Sequence, residues 1–245
     1  MLEIIRIHNE LLGTYGDRGN ADVLAFRAKL AGIKARITDI SYPDELPSTG
    51  DIYLLGGAED AAQALSLEAM KKKMALNKAV KKGAVVLAIC AGFQILGSTF
   101  ISRDETVEGL GLLDVTTAPG SRRLVGDIAI KSKFFAEPLT GFENHGGVTT
   151  LGSDATPFGR VIAGNGNGIA GVDGIAGVDG IAGVDGAVSG NVFGTYLHGP
   201  VLARNPEFAD LLLARALGAT NLPASIEAND ELAQRYAQWR RSVIK

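Results

Sequence analysis

Residues 84–97 read AVVLAICAGFQILG and contain the only cysteine of the 245-residue chain. The β-branched apolar run up to Ile89 predicts a buried strand, and the spacing from Phe93 onward predicts a helix, so Cys90 falls on the corner between them. Small residues stand two positions to either side, Ala88 and Gly92. A reversal from strand to helix over one residue brings two backbones close, and only small side chains leave room. This is the physical logic of a nucleophile elbow, with sulfur in the place of a serine hydroxyl. The helix N-terminus behind Cys90 carries partial positive charge, which favours a thiolate. The Ala91 N–H has no partner within a helix and is aimed at the same spot, where it can hold an oxyanion. The competing reading is a buried cysteine acting as a small hydrophobe.

The same alternation extends outward from this corner. LEIIRIH (2–8), KARITDI (34–40) and DIYLLGG (51–57) read as strands, and ADVLAFRAKLAG (21–32) as an amphipathic helix stopped by Gly32. A long helical region is expected over 59–82, and a helix over FQILGSTF (93–100). Strands alternating with helices predict an α/β fold, a central mostly parallel sheet with helices on both faces. After about residue 105 the composition shifts to Gly, Thr and Val. Short segments such as GDIAIK (126–131) and VTTLG (148–152) predict some antiparallel strands. NVFGTYLHG (191–199) reads as the last strand, and PEFADLLLARALG and NDELAQRYAQWRRSV as closing helices. No convincing linker interrupts the chain, so residues 1–245 are expected to form a single domain.

GIAGVDGIAGVDGIAGVD (168–185) is a hexapeptide repeated three times. Its evenly spaced aspartates invite a calcium reading, but the pattern is not the nonapeptide of calcium-binding β-rolls. A duplicated surface loop within the domain is the simpler account. Lengthening such a loop costs only roughly 0.6 kcal/mol per doubling.

Composition bounds the function. Hydrophobic residues make up 46% and charged residues 21%, with net charge −3, and no basic block suggests nucleic acid. One cysteine and three histidines are few for a zinc site, and no metal or other cofactor is expected. The first residues lack a signal-peptide pattern, and no apolar run reaches the ~18 residues of a transmembrane segment. A cytoplasmic protein without a transmembrane segment or a nucleic-acid partner is therefore expected.

CAGFQ (90–94) resembles the Cys-x-Gly-x-Gln signature of class I glutamine amidotransferases, which have a flavodoxin-like fold. LLGGAEDAAQ (54–63) is similar to their glycine turn. TYLHGPVLARNPEFADLLL (195–213) is similar to the His-containing end of the cobyric-acid-synthase-like branch. More narrowly, GTYGDRGNADVL, GFENHGG and YLHGPVLARNPEFAD resemble the GatD branch, glutaminase subunits that work with the Mur-ligase-like MurT on lipid II.

The resemblance implies a role for each matched residue. Cys90 attacks the carboxamide of L-glutamine. Ala91 and Gly57 N–H groups form the oxyanion hole, and His198 moves the proton. Gln94 helps hold glutamine, and Arg123, rather than Arg122, pairs with its α-carboxylate. ENHGG (143–147) either lines the same pocket or places His145 as a backbone-bonded loop residue. Asp17 and Asn20 are expected as helix caps, or near the active site or a partner interface. Many class I enzymes carry Glu two residues after the histidine. Here that position is Pro200, so the third group comes from elsewhere in the chain, is absent, or is supplied by a partner.

No phosphate-binding Gly-x-x-x-x-Gly-Lys-[Ser/Thr] loop is present, yet amide synthesis needs an activated acyl group. The resemblance therefore implies a heterodimer with a MurT-like synthetase, which would use the ammonia to amidate the D-glutamate of the lipid II stem peptide. The alternatives are a glutaminase subunit of a cobyric-acid-synthase-like enzyme, a catalytically inactive binding module of the same fold, and a Cys-dependent hydrolase.

Overall fold

A computed structural model describes residues 1–168 and 183–222. The first half runs β1 (Leu2–Ile7), α1 (Asn9–Leu12), α2 (Gly19–Leu30), β2 (Ala35–Ile40), β3 (Ile52–Leu55), α3 (Asp60–Lys71), α4 (Ala75–Lys81), β4 (Val85–Ile89) and α5 (Ala91–Leu96). Then follow β5 (Thr99–Ser102), β6 (Glu105–Glu108), β7 (Val115–Lys131), β8 (Leu139–Leu151), β9 (Gly159–Ala163), β10 (Val184–Asp185), β11 (Ala187–Ser189), β12 (Val192–Thr195), α6 (Val201–Arg204) and α7 (Pro206–Ala216). The expected last helix and most of the hexapeptide repeat lie outside the described residues.

The main sheet has the order β11-β12-β4-β3-β1-β2. All its pairings are parallel except β11 with β12. Without that edge strand the order is flavodoxin-like, with β12 as the fifth parallel strand. β3 and β4 are buried at every position, which is why they read as continuous apolar runs without alternation. Helices α2, α6 and α7 pack together, as do α1, α3 and α5, and β4 touches both groups through α7 and α5. The α/β expectation is met.

The second sheet is built on the long β7–β8 hairpin and is mostly antiparallel, with β5 joining β7 in parallel. One apolar cluster joins residues of both sheets, from Ile4 and Val86 to Ile128 and Leu139.

Two helix boundaries differ from the sequence reading. The helix after Cys90 stops at Leu96, because Gly97 is extended and the Ser98 N–H pairs with the Val115 carbonyl at 2.8 Å. Thr99 and Phe100 belong to β5. The expected helical region over 59–82 is two helices, broken where Met74 takes φ 48°.

One glycine decides how closely α5 seats on the sheet. A Cβ at Gly194 would lie 2.0 Å from Phe93 Cδ2, and Phe93 is fully buried. Gly194→Ala is expected to lower stability by about 1–3 kcal/mol through overpacking, read from the urea midpoint. An unchanged midpoint would show that α5 has slack the structure does not display.

Candidate active site

β4 and β12 are neighbours, with Ile89 opposite Thr195, and the Cys90 N–H extends this ladder to the Thr195 carbonyl at 2.9 Å. The carboxyl ends of two adjacent parallel strands therefore deliver Cys90 and His198 to the same edge. Cys90 adopts φ 53°, ψ −109°, a left-handed strain at a non-glycine residue of the kind that clusters at functional turns. Gly92 makes the reversal possible: a Cβ there would lie 2.7 Å from Leu55 Cβ and 3.0 Å from the Gly56 carbonyl. The elbow expected from Ala88 and Gly92 is present. Among the described residues the Ala91 N–H has no hydrogen-bond partner.

His198 lies just beyond β12. Its N–H and C=O bond Phe142 of β8 at 2.8 and 3.1 Å, which fixes its backbone. Its ring sits 4.8 Å from that of Tyr15, and its Nδ1 lies 2.9 Å from Asp17 Oδ2. Burial disfavours a charged ring here. The Asp17 hydrogen bond, Cys90 and the Asp17 charge outweigh it, and the His198 pKa is raised to about 10. Nε2 is buried and without a hydrogen-bond partner among the described residues.

The carboxylate that meets His198 is thus Asp17, from within the chain. It is no helix cap: α2 begins after Arg18 with no side-chain cap. Asn20 is no cap either, and its Oδ1 accepts the Leu202 N–H at 3.0 Å. Pro200 still contributes to this arrangement. A Cβ at Gly19 would lie 2.6 Å from Pro200 Cγ, so the His198 segment seats directly on the loop that carries Asp17.

The Gly57 N–H, expected in the oxyanion hole, donates here to Asp17 Oδ2 at 3.0 Å, the same oxygen that meets His198. A glycine is nonetheless required, since a Cβ would lie 2.7 Å from His198 Cε1 and 2.8 Å from Tyr15 Cδ2.

Cys90 opens on a cavity of about 180 Å³, below the usual 300–1,000 Å³ of drug-sized pockets and on the scale of one amino acid. Gln94 and Arg123 line it, as do Tyr15, Glu59, Asn144 and His145. Gln94 is held by Gln63 Nε2 at 2.9 Å and donates to Tyr196 Oη at 3.2 Å. Arg123 Nε donates to Asn144 Oδ1 at 2.6 Å, while the Asn144 carbonyl lies 4.0 Å from Cys90 Sγ. Arg123, and not Arg122, is the arginine of the cavity lining.

Residues 144–147 of ENHGG line the cavity, and its His145 is backbone-bonded but lies in β8 and not in a loop. His145 lines the cavity, its Nδ1 bonds the Gly147 carbonyl at 2.9 Å, and it stacks on Tyr196 at 3.7 Å. Burial lowers its pKa to about 4, so it is neutral at neutral pH. Sequence reasoning missed Tyr15, Gln63 and Tyr196. All three lie in segments whose resemblance was noted, Tyr15 in the same YGDRGN loop as Asp17, Gln63 in LLGGAEDAAQ and Tyr196 in TYLHGPV.

Among the described residues, no cluster of His, Cys, Asp and Glu is placed to hold a metal ion. No described helix is long and apolar enough to cross a membrane.

A cysteine on an elbow, an Asp-backed histidine and an amino-acid-sized cavity fit the glutamine amidotransferase class. Residues 3–206 match the CobB/CobQ-like glutamine amidotransferase domain, and the chain belongs to that family. It is 35% identical to the lipid II isoglutaminyl synthase (glutamine-hydrolyzing) subunit GatD of Staphylococcus aureus, covering 98% of each chain. It is 34% identical to the GatD subunit of Streptococcus pneumoniae, over 96% of this chain and 90% of that one. A cobyric acid synthase of Sphingopyxis alaskensis is 28% identical over 69% of this chain, which spans 32% of that protein. Among solved structures, a glutamine amidotransferase of Thermotoga maritima superposes with a TM-score of 0.54 at 17% identity, covering 99% of this chain and 96% of that one. These structural likenesses bear on the fold alone.

Proposed function

We propose that this chain is the glutamine-hydrolysing subunit of a lipid II isoglutaminyl synthase. The observation that carries the chemistry is Cys90 opening on that small cavity, with His198 backed by Asp17 at 2.9 Å and close enough to Cys90 for the two to interact electrostatically. In this reading the Cys90 sulfur attacks the carboxamide carbon of L-glutamine, and the oxyanion is held by the Ala91 N–H. Losing such a donor typically costs about 3 kcal/mol of barrier. His198, kept as imidazolium by Asp17, gives its proton to the departing nitrogen as the C–N bond breaks, and ammonia leaves. The neutral ring then takes a proton from water, which cleaves the thioester to glutamate and returns Cys90. Gln94 and Arg123 hold the amino acid, Arg123 at its α-carboxylate.

Coverage supports the acceptor. The GatD subunits match over 96–98% of this chain at 34–35% identity and the Sphingopyxis cobyric acid synthase over 69% at 28%, which favours the lipid II reading. The ammonia would pass to a MurT-like synthetase that activates the D-glutamate carboxylate of the lipid II stem peptide.

The test is co-purification with a Mur-ligase-like partner, followed by assay of lipid II amidation with glutamine or with ammonium salts. The complex is expected to use both, and the complex carrying Cys90→Ser only ammonium. Equal use of glutamine by both complexes would contradict the proposal. Because Asp17 completes the site in cis, the isolated chain is expected to release glutamate without the partner.

A further inference from the structure

The rim of the cavity carries a pair of opposite charges that the hydrolytic steps do not use. Tyr15 Oη donates to Glu59 Oε1 at 2.7 Å and accepts from Arg123 Nη2 at 2.9 Å. Arg123 Nη2 and Glu59 Oε1 lie 3.9 Å apart. Tyr15 therefore holds an anion and a cation side by side at one edge of the cavity. Among the described residues, Arg123 Nη1 and Glu59 Oε2 have no partner. A free amino acid presents the matching pair, an α-carboxylate and an α-ammonium on one carbon.

We propose that Glu59 receives the α-ammonium of the bound glutamine while Arg123 takes its α-carboxylate, so that this pair selects free α-amino acids over other carboxamides. The inference rests on the glutaminase reading and names a further specificity residue for it. Asp60 also lines the cavity, but no bond joins it to Tyr15 or Arg123, so the pairing falls to Glu59. The rim is half exposed, with the Arg123 and Glu59 side chains at 50% and 66%. Solvent screening therefore keeps the expected effect moderate.

The test compares glutamine with glutaramate, the same molecule without its amino group, in wild-type and Glu59→Gln proteins. Glu59→Gln is expected to raise KM for glutamine about tenfold, to leave kcat within about twofold, and to leave KM for glutaramate unchanged. Calorimetric binding of both compounds to Cys90→Ser and Cys90→Ser/Glu59→Gln proteins should show the same tenfold loss for glutamine alone. Equal weakening of both compounds would overturn the proposal, and so would a fall in KM for glutamine. Discrimination lost in Asp60→Asn but kept in Glu59→Gln would also overturn it. Absence of turnover in the wild type, with the binding difference intact, would count against the glutaminase reading and not against the role of Glu59.

Discussion

Cys90→Ser is expected to lower glutamate release from glutamine by at least about a thousandfold while leaving the fold and urea midpoint unchanged. The substitution is nearly isosteric. It replaces a thiol sulfur with a hydroxyl, which ionises far less readily and is the weaker nucleophile. His198 gives the serine little help, because the Asp17 hydrogen bond and charge still favour an imidazolium, which carries its proton already. That charge suits a thiolate neighbour and an ammonia leaving group, and it does not suit deprotonation of an alcohol. The check is glutamate release under saturating glutamine, with circular dichroism as the fold control. Retention of more than a small fraction of activity would mean that another group performs the attack.

Asp17→Asn carries the second large effect. The asparagine keeps an acceptor for the Gly57 N–H but removes the charge that faces His198. Replacing the carboxylate of a comparable triad lowers kcat by about 10⁴. A similar order is expected here, with little change in KM.

The sign of the pH effect follows from the same contact. Burial pushes the His198 pKa down, and the Asp17 hydrogen bond and charge are among the groups that push it up past its ordinary value. With Asp17 neutralised, burial prevails and the ring loses its proton at a lower pH. A folded-state pKa above the unfolded one contributes stability that is fully present below about pH 6.5. That contribution is lost as pH rises through about 10. The stability gap between wild type and Asp17→Asn is therefore expected to be widest below pH 6.5 and to close toward pH 10. Denaturant melts across this range, with NMR titration of the His198 ring, provide the check. A gap independent of pH, or an unmoved His198 titration, would remove Asp17 from its assigned role.

The parts of this site that were legible in the sequence share a physical property: their signal is local. The corner at Cys90 was visible because a buried strand, small flanking residues and a helix pattern are all encoded within fourteen consecutive residues. The parallel sheet was visible for the same reason, since β3 and β4 are apolar at every position. Asp17 was not assignable, because its partner His198 lies in another segment, and tertiary contacts such as Pro200 on Gly19 and the Leu202 N–H on Asn20 bring the two segments together. Position 200 carries no glutamate, and the carboxylate that contacts His198 comes from the opposite end of the chain. Gly57 was named for a donor it does possess, but whether that donor faces substrate or Asp17 depends on one peptide plane. The break at Met74 left no trace either, since methionine is a good helix former placed here in a left-handed turn.

The central claim is that Cys90 is the nucleophile of a pocket that recognises free glutamine. Intact-protein and peptide mass spectrometry after incubation with a diazoketone analogue of glutamine tests it most directly. The account predicts one adduct per chain, located on Cys90 and prevented by prior addition of glutamine. An unmodified Cys90, or modification that glutamine does not slow, would contradict it.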